Sequence, residues 1–296
     1  KNSTSASLVD LNSDIEKLQQ KKNTLIKKIF SKLTPWQITQ IARHPMRPYT
    51  KDYIDNICDS FIELHGDRTF ADDQSVIAGL AKIDNMRCVI IGNQKGRDTK
   101  EKIKRNFGMS KPEGYRKALR IMKLAEKFHL PIITFIDTPG AYPGIDAEKR
   151  GQSEAIGRNI FEMSDLKIPI ISIIIGEGGS GGALALSVAD KIMMLKYSIY
   201  SVISPEGCAS ILWKDAKMAD KAADILGITS ERLFKLGLID SIIEEPIGGA
   251  HRNRKEIYNT IKNSIKSNLE TLQQPVSQLI KNRQYKLNNY GSYIDQ

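Results

Sequence analysis

The stretch Ile170–Gly182 reads IISIIIGEGGSGG, and Ala183–Ala189 continues it as a helix-forming segment. An apolar, β-branched run thus enters a turn with five glycines in seven residues. Glycine lets backbone come close to a ligand. The N-terminus of the following helix offers unpaired N–H groups at the positive end of a dipole. Such a place suits an anion or a developing oxyanion. Four chemistries compete for it. Gly176, Gly178 and Gly181 fit a GxGxxG dinucleotide turn, but Lys196 and Tyr197 stand where the ribose-binding acid belongs. Gly176 and Gly181 fit a phosphate-binding P-loop, but Gly182 and Ala183 replace its Lys and Ser/Thr. Gly178–Gly182 fits GxSxG around Ser180, a nucleophile elbow that His251 and Asp240 would have to complete. The fourth is an oxyanion hole without a nucleophile, built from the amides of Gly181, Gly182 and Ala183. Each such donor is worth about 3–4 kcal/mol in the transition state. The bland alternative is a close-packed strand-to-helix turn, which needs fewer glycines than this.

Charge narrows the classes. The 296 residues carry a formal +10. Residues 95–123 hold eleven basic groups against three acidic, and residues 251–296 eight against three. Residues 124–250, which contain the glycine turn, hold twelve against seventeen. The excess is therefore peripheral to the turn. Lys95, Arg97, Lys100, Lys102, Lys104 and Arg105 read as a basic loop for a local anion site or an acidic partner, with a solvated face as the alternative. Nucleic acid is not an expected partner, because aromatics do not interleave the basic stretch. No apolar run reaches the roughly 18 residues of a membrane span. Cys58, Cys88 and Cys208 form no CxxC pair, which suits a reducing cytoplasm and offers no Cys-rich zinc site. The four His lack metal-ligand spacing, so no metal is expected. No leader pattern is read, and the first residue, not Met, reads as numbering that starts inside a longer chain.

The elements that must position the turn follow from periodicity. Leu8, Leu11, Ile15, Leu18, Leu25 and Ile29 recur at heptad spacing, which predicts a long helix packed on a partner or on the body. A helix is expected around Tyr49–Leu64. Strands are expected at Ser75–Ile83, Arg87–Gly92, Ile132–Asp137, Ile170–Ile175, Lys191–Leu195 and Ser198–Ile203. Helices are expected at Glu113–Phe128, Gln152–Met163, Gly181–Ala189, Glu206–Trp213, Lys217–Leu226 and Ser230–Leu236. Alternating strands and helices mean an α/β domain. The chain is read as an N-terminal helical extension (1–33), a catalytic domain (34–255) and a helical basic tail (256–296) broken at Gln274-Pro275.

Five ungapped motifs now stand together. They are Asn93-Gln94-Lys95-Gly96-Arg97, Ile136-Asp137-Thr138-Pro139-Gly140-Ala141-Tyr142-Pro143-Gly144, Gly151-Gln152-Ser153-Glu154, Gly176–Ala183 and Ser204–Trp213. Between about Leu33 and His251 the chain resembles the alpha-subunit family of bacterial acetyl-coenzyme A carboxylase carboxyltransferases. The resemblance implies a crotonase-like (ClpP/crotonase) spiral of ββα units. It implies a separate beta subunit bearing a zinc ribbon, two copies of each, and a biotin carboxyl carrier protein with biotin carboxylase in the larger complex. It implies a bacterial cytoplasm, with a plastid stroma as the alternative. The reaction implied is carboxyl transfer from carboxybiotin on the carrier to acetyl-CoA, giving malonyl-CoA for fatty acid synthesis.

That chemistry develops negative charge on the biotin ureido oxygen and on the thioester oxygen, and both call for fixed donors. By the resemblance, Gly181, Gly182 and Ala183 serve the biotin oxygen, and the beta subunit serves the thioester. Gly178, Gly179, Asp137, Pro139, Gly140 and Tyr142 shape the biotin site, with Lys95 and Arg97 on its basic side. Asp137 is read as orienting backbone amides or as a strand-end Asx turn, and Pro143 joins Tyr142 in lining the channel. Glu206 is read as a first-turn dipole partner and Cys208 as a packing residue. A crotonase-fold serine hydrolase using Ser180 is the alternative function.

Overall fold

The computed structural model describes residues 3–291. Eight strands form one sheet: β1 Ser60–Glu63, β2 Val76–Ile83, β3 Met86–Asn93, β4 Ile132–Thr138, β5 Ile170–Gly179, β6 Lys191–Leu195, β7 Ile199–Ser201 and β8 Ser241–Ile243. Their order is β1-β2-β3-β4-β5-β6-β8, with β7 also on β5. The β1-β2-β3 edge is antiparallel, and every pairing from β3 onward is parallel. β4 and β5 are buried along their whole length. That is what unbroken Ile-rich runs produce when helices cover both faces of a parallel sheet.

The helices are α1 Ser3–Phe30, α2 Pro35–Ala42, α3 Thr50–Ile57, α4 Thr99–Lys104, α5 Pro112–Lys127, α6 Ile145–Lys149, α7 Gln152–Asp165, α8 Ser180–Leu184, α9 Pro205–Trp213, α10 Ala219–Leu226, α11 Ser230–Lys235, α12 Arg254–Thr271 and α13 Val276–Asn288. Side-chain alternation along β5 splits the core in two. Ile171, Ile173 and Ile175 pack with α3 and α12 through Tyr53, Ile54, Ile257 and Ile261. Ile170 and Ile174 pack with α5 and α7 through Ile121, Met122 and Met163. The tail helix α12 is thus part of the main core.

β5 changes neighbours midway. Ile171–Ile174 pair with β6, and Glu177–Gly179 pair with β7. Against β4, Ile136 pairs with Ile174 but Thr138 with Gly178, so two residues of β4 span four of β5. The strand bulges there, as strands do where a site must be re-aimed. Gly176 lies in this bulge, and a Cβ on it would sit 2.8 Å from the Asp137 carboxyl carbon.

Several expected elements change. The helix around Tyr49–Leu64 stops at Ile57, because Cys58 turns extended and Ser60–Glu63 pair with β2 as β1. The helix expected at Gly181–Ala189 is only Ser180–Leu184. Leu186 and Ser187 donate to carbonyls three residues back, which tightens the end into a turn. The seam of α1 does not pack on the body: Leu11, Ile15, Leu18, Leu25 and Ile29 are all exposed. The side chain of Leu8 lies outside the described residues.

Candidate functional site

The glycine turn is built by close approach. A Cβ on Gly182 would lie 2.5 Å from both the Ala141 nitrogen and the Gly140 carbonyl carbon, and one on Gly179 would fall on the Pro139 carbonyl. A Cβ on Gly178 would meet the Tyr200 ring at 2.7 Å. The turn and the Asp137–Gly144 loop therefore pack backbone on backbone. The loop is shaped locally. The Thr138 hydroxyl donates to the Gly140 carbonyl (2.7 Å) and accepts from its amide (3.1 Å). Gln152 Nε2 donates to the Ser110 and Tyr142 carbonyls, at 2.8 and 2.9 Å. The Tyr142 amide donates to the same Ser110 carbonyl. Lys111 Nζ lies 4.8 Å from the centre of the Tyr142 ring.

The Ala183 amide, four residues past the Gly179 N-cap, stands where α8 makes its first internal bond, and the amides of Gly181 and Gly182 lie before it, where a helix supplies no acceptor of its own. Among the described residues no loop carbonyl or side chain accepts from these two. Beside them lies a cavity of about 420 Å³ bordered by Ser180 and Gly181 and lined by Leu184, Val188, Tyr200 and Leu233.

Beneath the turn runs a chain of alternating charges. Lys95 Nζ is 2.7 Å from Asp137 Oδ1 and 2.7 Å from Glu177 Oε2. Arg43 Nε is 2.6 Å from Glu177 Oε1, and its Nη1 is 2.5 Å from Glu206 Oε1. The Glu177 amide donates to Asp137 Oδ1 at 3.0 Å. Burial alone would push the Glu177 carboxyl up, but Lys95 and Arg43 outweigh it and hold it at about 2. Burial pulls Lys95 down, and Asp137 and Glu177 more than reverse that, so its ammonium is held above the ordinary lysine range.

The structure brings Gly178–Ala183, Asp137, Pro139 and Gly140 together and places Lys95 directly under them. Arg97 sits apart. It donates to the Pro45 and Arg47 carbonyls, pairs with Asp52, and stacks over the Tyr49 ring at 4.2 Å. The basic loop is thus divided. Lys95, Arg97 and Arg105 are spent on internal partners, whereas Lys100, Lys102 and Lys104 on α4 make no ion pair among the described residues. Glu206, on the first turn of α9, gives its carboxylate to Arg43. Sequence reasoning passed over Glu177, although it stands inside the glycine motif, and over Arg43.

The hydrolase reading fails on geometry. Ser180 Oγ has no His or carboxylate partner among the described residues. His44 and His251 stack on each other with ring centres 3.9 Å apart, and His65 turns to Asp72. The φ of +54 at Ser180 is a strain that a nucleophile elbow would share, so the missing partners decide the matter. No group of three His, Cys, Asp or Glu could hold a metal among the described residues.

The stacked imidazoles make stability pH-dependent. Burial first, then the charges of His44, Arg252, Arg47 and Arg254, hold His251 at about 4 against a usual 6.5. The unfolded chain takes up a proton below pH 6.5 that the native chain refuses until about pH 4. Native stability therefore falls as pH drops through that window. Thermal melts at pH 7.5 and 5.0 should show a drop in Tm that His251→Gln makes smaller. An equal drop in both proteins would assign the effect to carboxylates alone.

Residues 1–291 match the family model described as acetyl co-enzyme A carboxylase carboxyltransferase-like. Two relatives named acetyl-coenzyme A carboxylase carboxyl transferase subunit alpha are similar over nearly the whole chain. The Nitrosomonas europaea protein is 61 % identical over 288 residues, covering 97 % of this chain and 89 % of its own. The Aromatoleum aromaticum protein is 58 % identical over 291 residues, covering 98 % and 90 %. Among solved structures, the beta subunit of Pseudomonas aeruginosa geranyl-CoA carboxylase is similar with a TM-score of 0.60 at 15 % identity, over 89 % of this chain and 48 % of that one. Transcarboxylase 12S, solved with methylmalonyl-coenzyme A bound, gives 0.58 at 17 %, over 73 % and 41 %. This chain spans less than half of either structure, and the likeness shows the fold, a crotonase-like α/β fold. By the family match and the identity of these relatives, the chain belongs to the acetyl-coenzyme A carboxylase carboxyltransferase alpha-subunit family.

Proposed function

We propose that this chain is one half of an acetyl-CoA carboxyltransferase, the half that holds the biotin oxygen while malonyl-CoA is formed. The observation that carries this is the pair of amides at Gly181 and Gly182, which α8 gives no acceptor, held by backbone contact with the Gly140–Ala141 loop beside an apolar cavity of about 420 Å³. That combination fits a neutral ureido ring with one oxygen to be held. Carboxybiotin on a carrier protein supplies the carboxyl group and, once that group has left, the base for the acetyl-CoA methyl. The chain's own part is to aim N–H donors where negative charge develops and to keep apolar walls around it, so that the donors act in a low dielectric. Gly178, Gly179, Pro139, Gly140 and Tyr142 shape that place. Asp137 and Lys95 fix the backbone around it, and Lys100, Lys102 and Lys104 are left to meet the coenzyme A phosphates or an acidic partner.

A beta subunit with the zinc ribbon would supply the thioester oxyanion donors, in an assembly of two copies each. The biotin carboxyl carrier and biotin carboxylase complete the complex. The bacterial relatives support a bacterial cytoplasm over a plastid stroma. No helix among the described residues is long and apolar enough to cross a membrane.

Reconstitution tests the reading. The chain mixed with purified beta subunit should transfer a carboxyl group between malonyl-CoA and biotin, and neither subunit should do so alone. Transfer by this chain alone, or none by the pair, would overturn it. Ser180→Gly should keep turnover within about twofold and relieve about 1 kcal/mol of left-handed strain. Loss of turnover in that variant would give the hydroxyl a role denied to it here.

A further inference from the structure

The turn presents a physical problem. Glycine-rich backbone has the most conformational freedom to lose on folding, yet oxyanion donors must be held within about 0.5 Å of their working positions. Of the seven residues Gly176–Gly182, only Glu177 and Ser180 have side chains, and Ser180 is exposed. Glu177 is therefore the one side-chain handle by which the rest of the molecule grips the turn.

The grip comes from several elements. Lys95, just after β3, reaches Glu177 Oε2, and Arg43, just after α2, reaches Glu177 Oε1. Asp137 at the end of β4 accepts the Glu177 amide and binds Lys95 through the same Oδ1, closing a ring of three residues over Gly176. Arg47 Nε takes the Ile175 carbonyl at 2.6 Å. Arg43 continues to Glu206 on α9. The Glu177 side chain is 11 % exposed, so both cations meet it out of bulk water.

We propose that Glu177, held between Lys95 and Arg43, is a positioning residue that sets the direction of the α8 amides by fixing β5 from Gly176 to Gly179. Its carboxylate is not aimed into the cavity. It acts through the backbone four and five residues further on, at Gly181 and Gly182. The inference rests on the oxyanion role proposed above for those amides.

The test uses the reconstituted complex with the beta subunit and three versions of this chain. In Glu177→Gln the shape is kept, but the new amide can accept from only one of the two cations. Its kcat for carboxyl transfer should fall roughly 10- to 100-fold, the scale of a misplacement near 1 Å. KM for malonyl-CoA should change less than about twofold, since the handle touches no substrate, and assembly with beta should persist. A purely structural role would instead lower Tm and the active fraction while the remaining molecules kept a normal kcat by active-site titration. Arg43→Lys keeps the charge but loses the planar fork that gives Nε to Glu177 and both Nη atoms to Glu206, and its kcat should fall roughly 3- to 10-fold with KM unchanged. It also decides the matter if Glu177→Gln fails to assemble. Gly182→Val separates the two readings. If it is inactive while Glu177→Gln and Arg43→Lys turn over normally, the oxyanion reading stands and the positioning role is overturned. If Gly182→Val turns over normally, both are overturned.

Discussion

Gly182→Val is expected to lower carboxyl transfer in the reconstituted complex by about 10²–10³-fold or more, the cost of losing a single oxyanion donor. The reason is local and steric. A Cβ at position 182 lies 2.5 Å from the Ala141 nitrogen and 2.5 Å from the Gly140 carbonyl carbon. Both are backbone atoms, so no rotamer change can clear them. Valine adds two branches to that Cβ, and either the turn or the loop must move. Overpacking of this kind costs about 1–3 kcal/mol, which a chain of this size can survive, so assembly with the beta subunit should persist. Gly181 is the control. A Cβ there would find only the Ile156 side chain, at 3.6 Å, an ordinary contact. Gly181→Ala should therefore leave turnover within about threefold, and its higher helix propensity adds up to about 1 kcal/mol. Exchange assays with matched size-exclusion profiles measure both. Wild-type-like turnover in Gly182→Val would remove the amides from the mechanism.

The contrast between Gly181 and Gly182 shows where sequence reading stops. The pattern of glycines announced a close approach, but not which glycine is pressed against which carbonyl. The strands were legible for a simpler reason: Ile132–Ile136 and Ile170–Ile175 are apolar on both faces, which only a covered parallel sheet explains. β1 was misread because its half-buried Phe61 and exposed Ile62 continue the apolar spacing of α3. The convergence of the Asp137–Gly144 loop, Gln152 and the glycine turn also followed from the motifs, since each sits at a strand or helix end. Charges were the hard part. Lys95 and Arg97 stand in a basic run along the chain, and nothing local shows that folding gives one to Asp137 and Glu177 and the other to Asp52. Glu177 meets Lys95 across 82 positions and Arg43 across 134. Partners at such distances leave no periodic trace, so an acid among glycines looks incidental.

The same blindness covered a fully buried ion pair, Arg47 with Glu245, where the second strong prediction lies. Arg47 and Glu245 have side chains 1 % and 0 % exposed. Their bidentate contact measures 2.8 and 2.7 Å. Arg47 Nε also donates to the Ile175 carbonyl at 2.6 Å, and Glu245 accepts from the Tyr197 amide (2.8 Å) and the Ala250 amide (2.6 Å). Glu245→Ala strands a buried guanidinium and two amides. Breaking one side of such a pair costs about 3–5 kcal/mol, which lowers Tm by roughly 5–8 °C in a chain of this size. Many buried ion pairs can be exchanged for apolar residues of similar volume at little cost. This one should not. In the double variant Arg47→Met/Glu245→Leu the charges are gone, but the Ile175 carbonyl and the Tyr197 and Ala250 amides lose their partners. Each unmade bond at a buried polar group costs about 1–3 kcal/mol. The double variant should therefore melt no higher than Glu245→Ala. A double variant melting near wild type would mean that the pair is an ordinary salt bridge and that β5, the strand leading into the glycine turn, is held by packing alone.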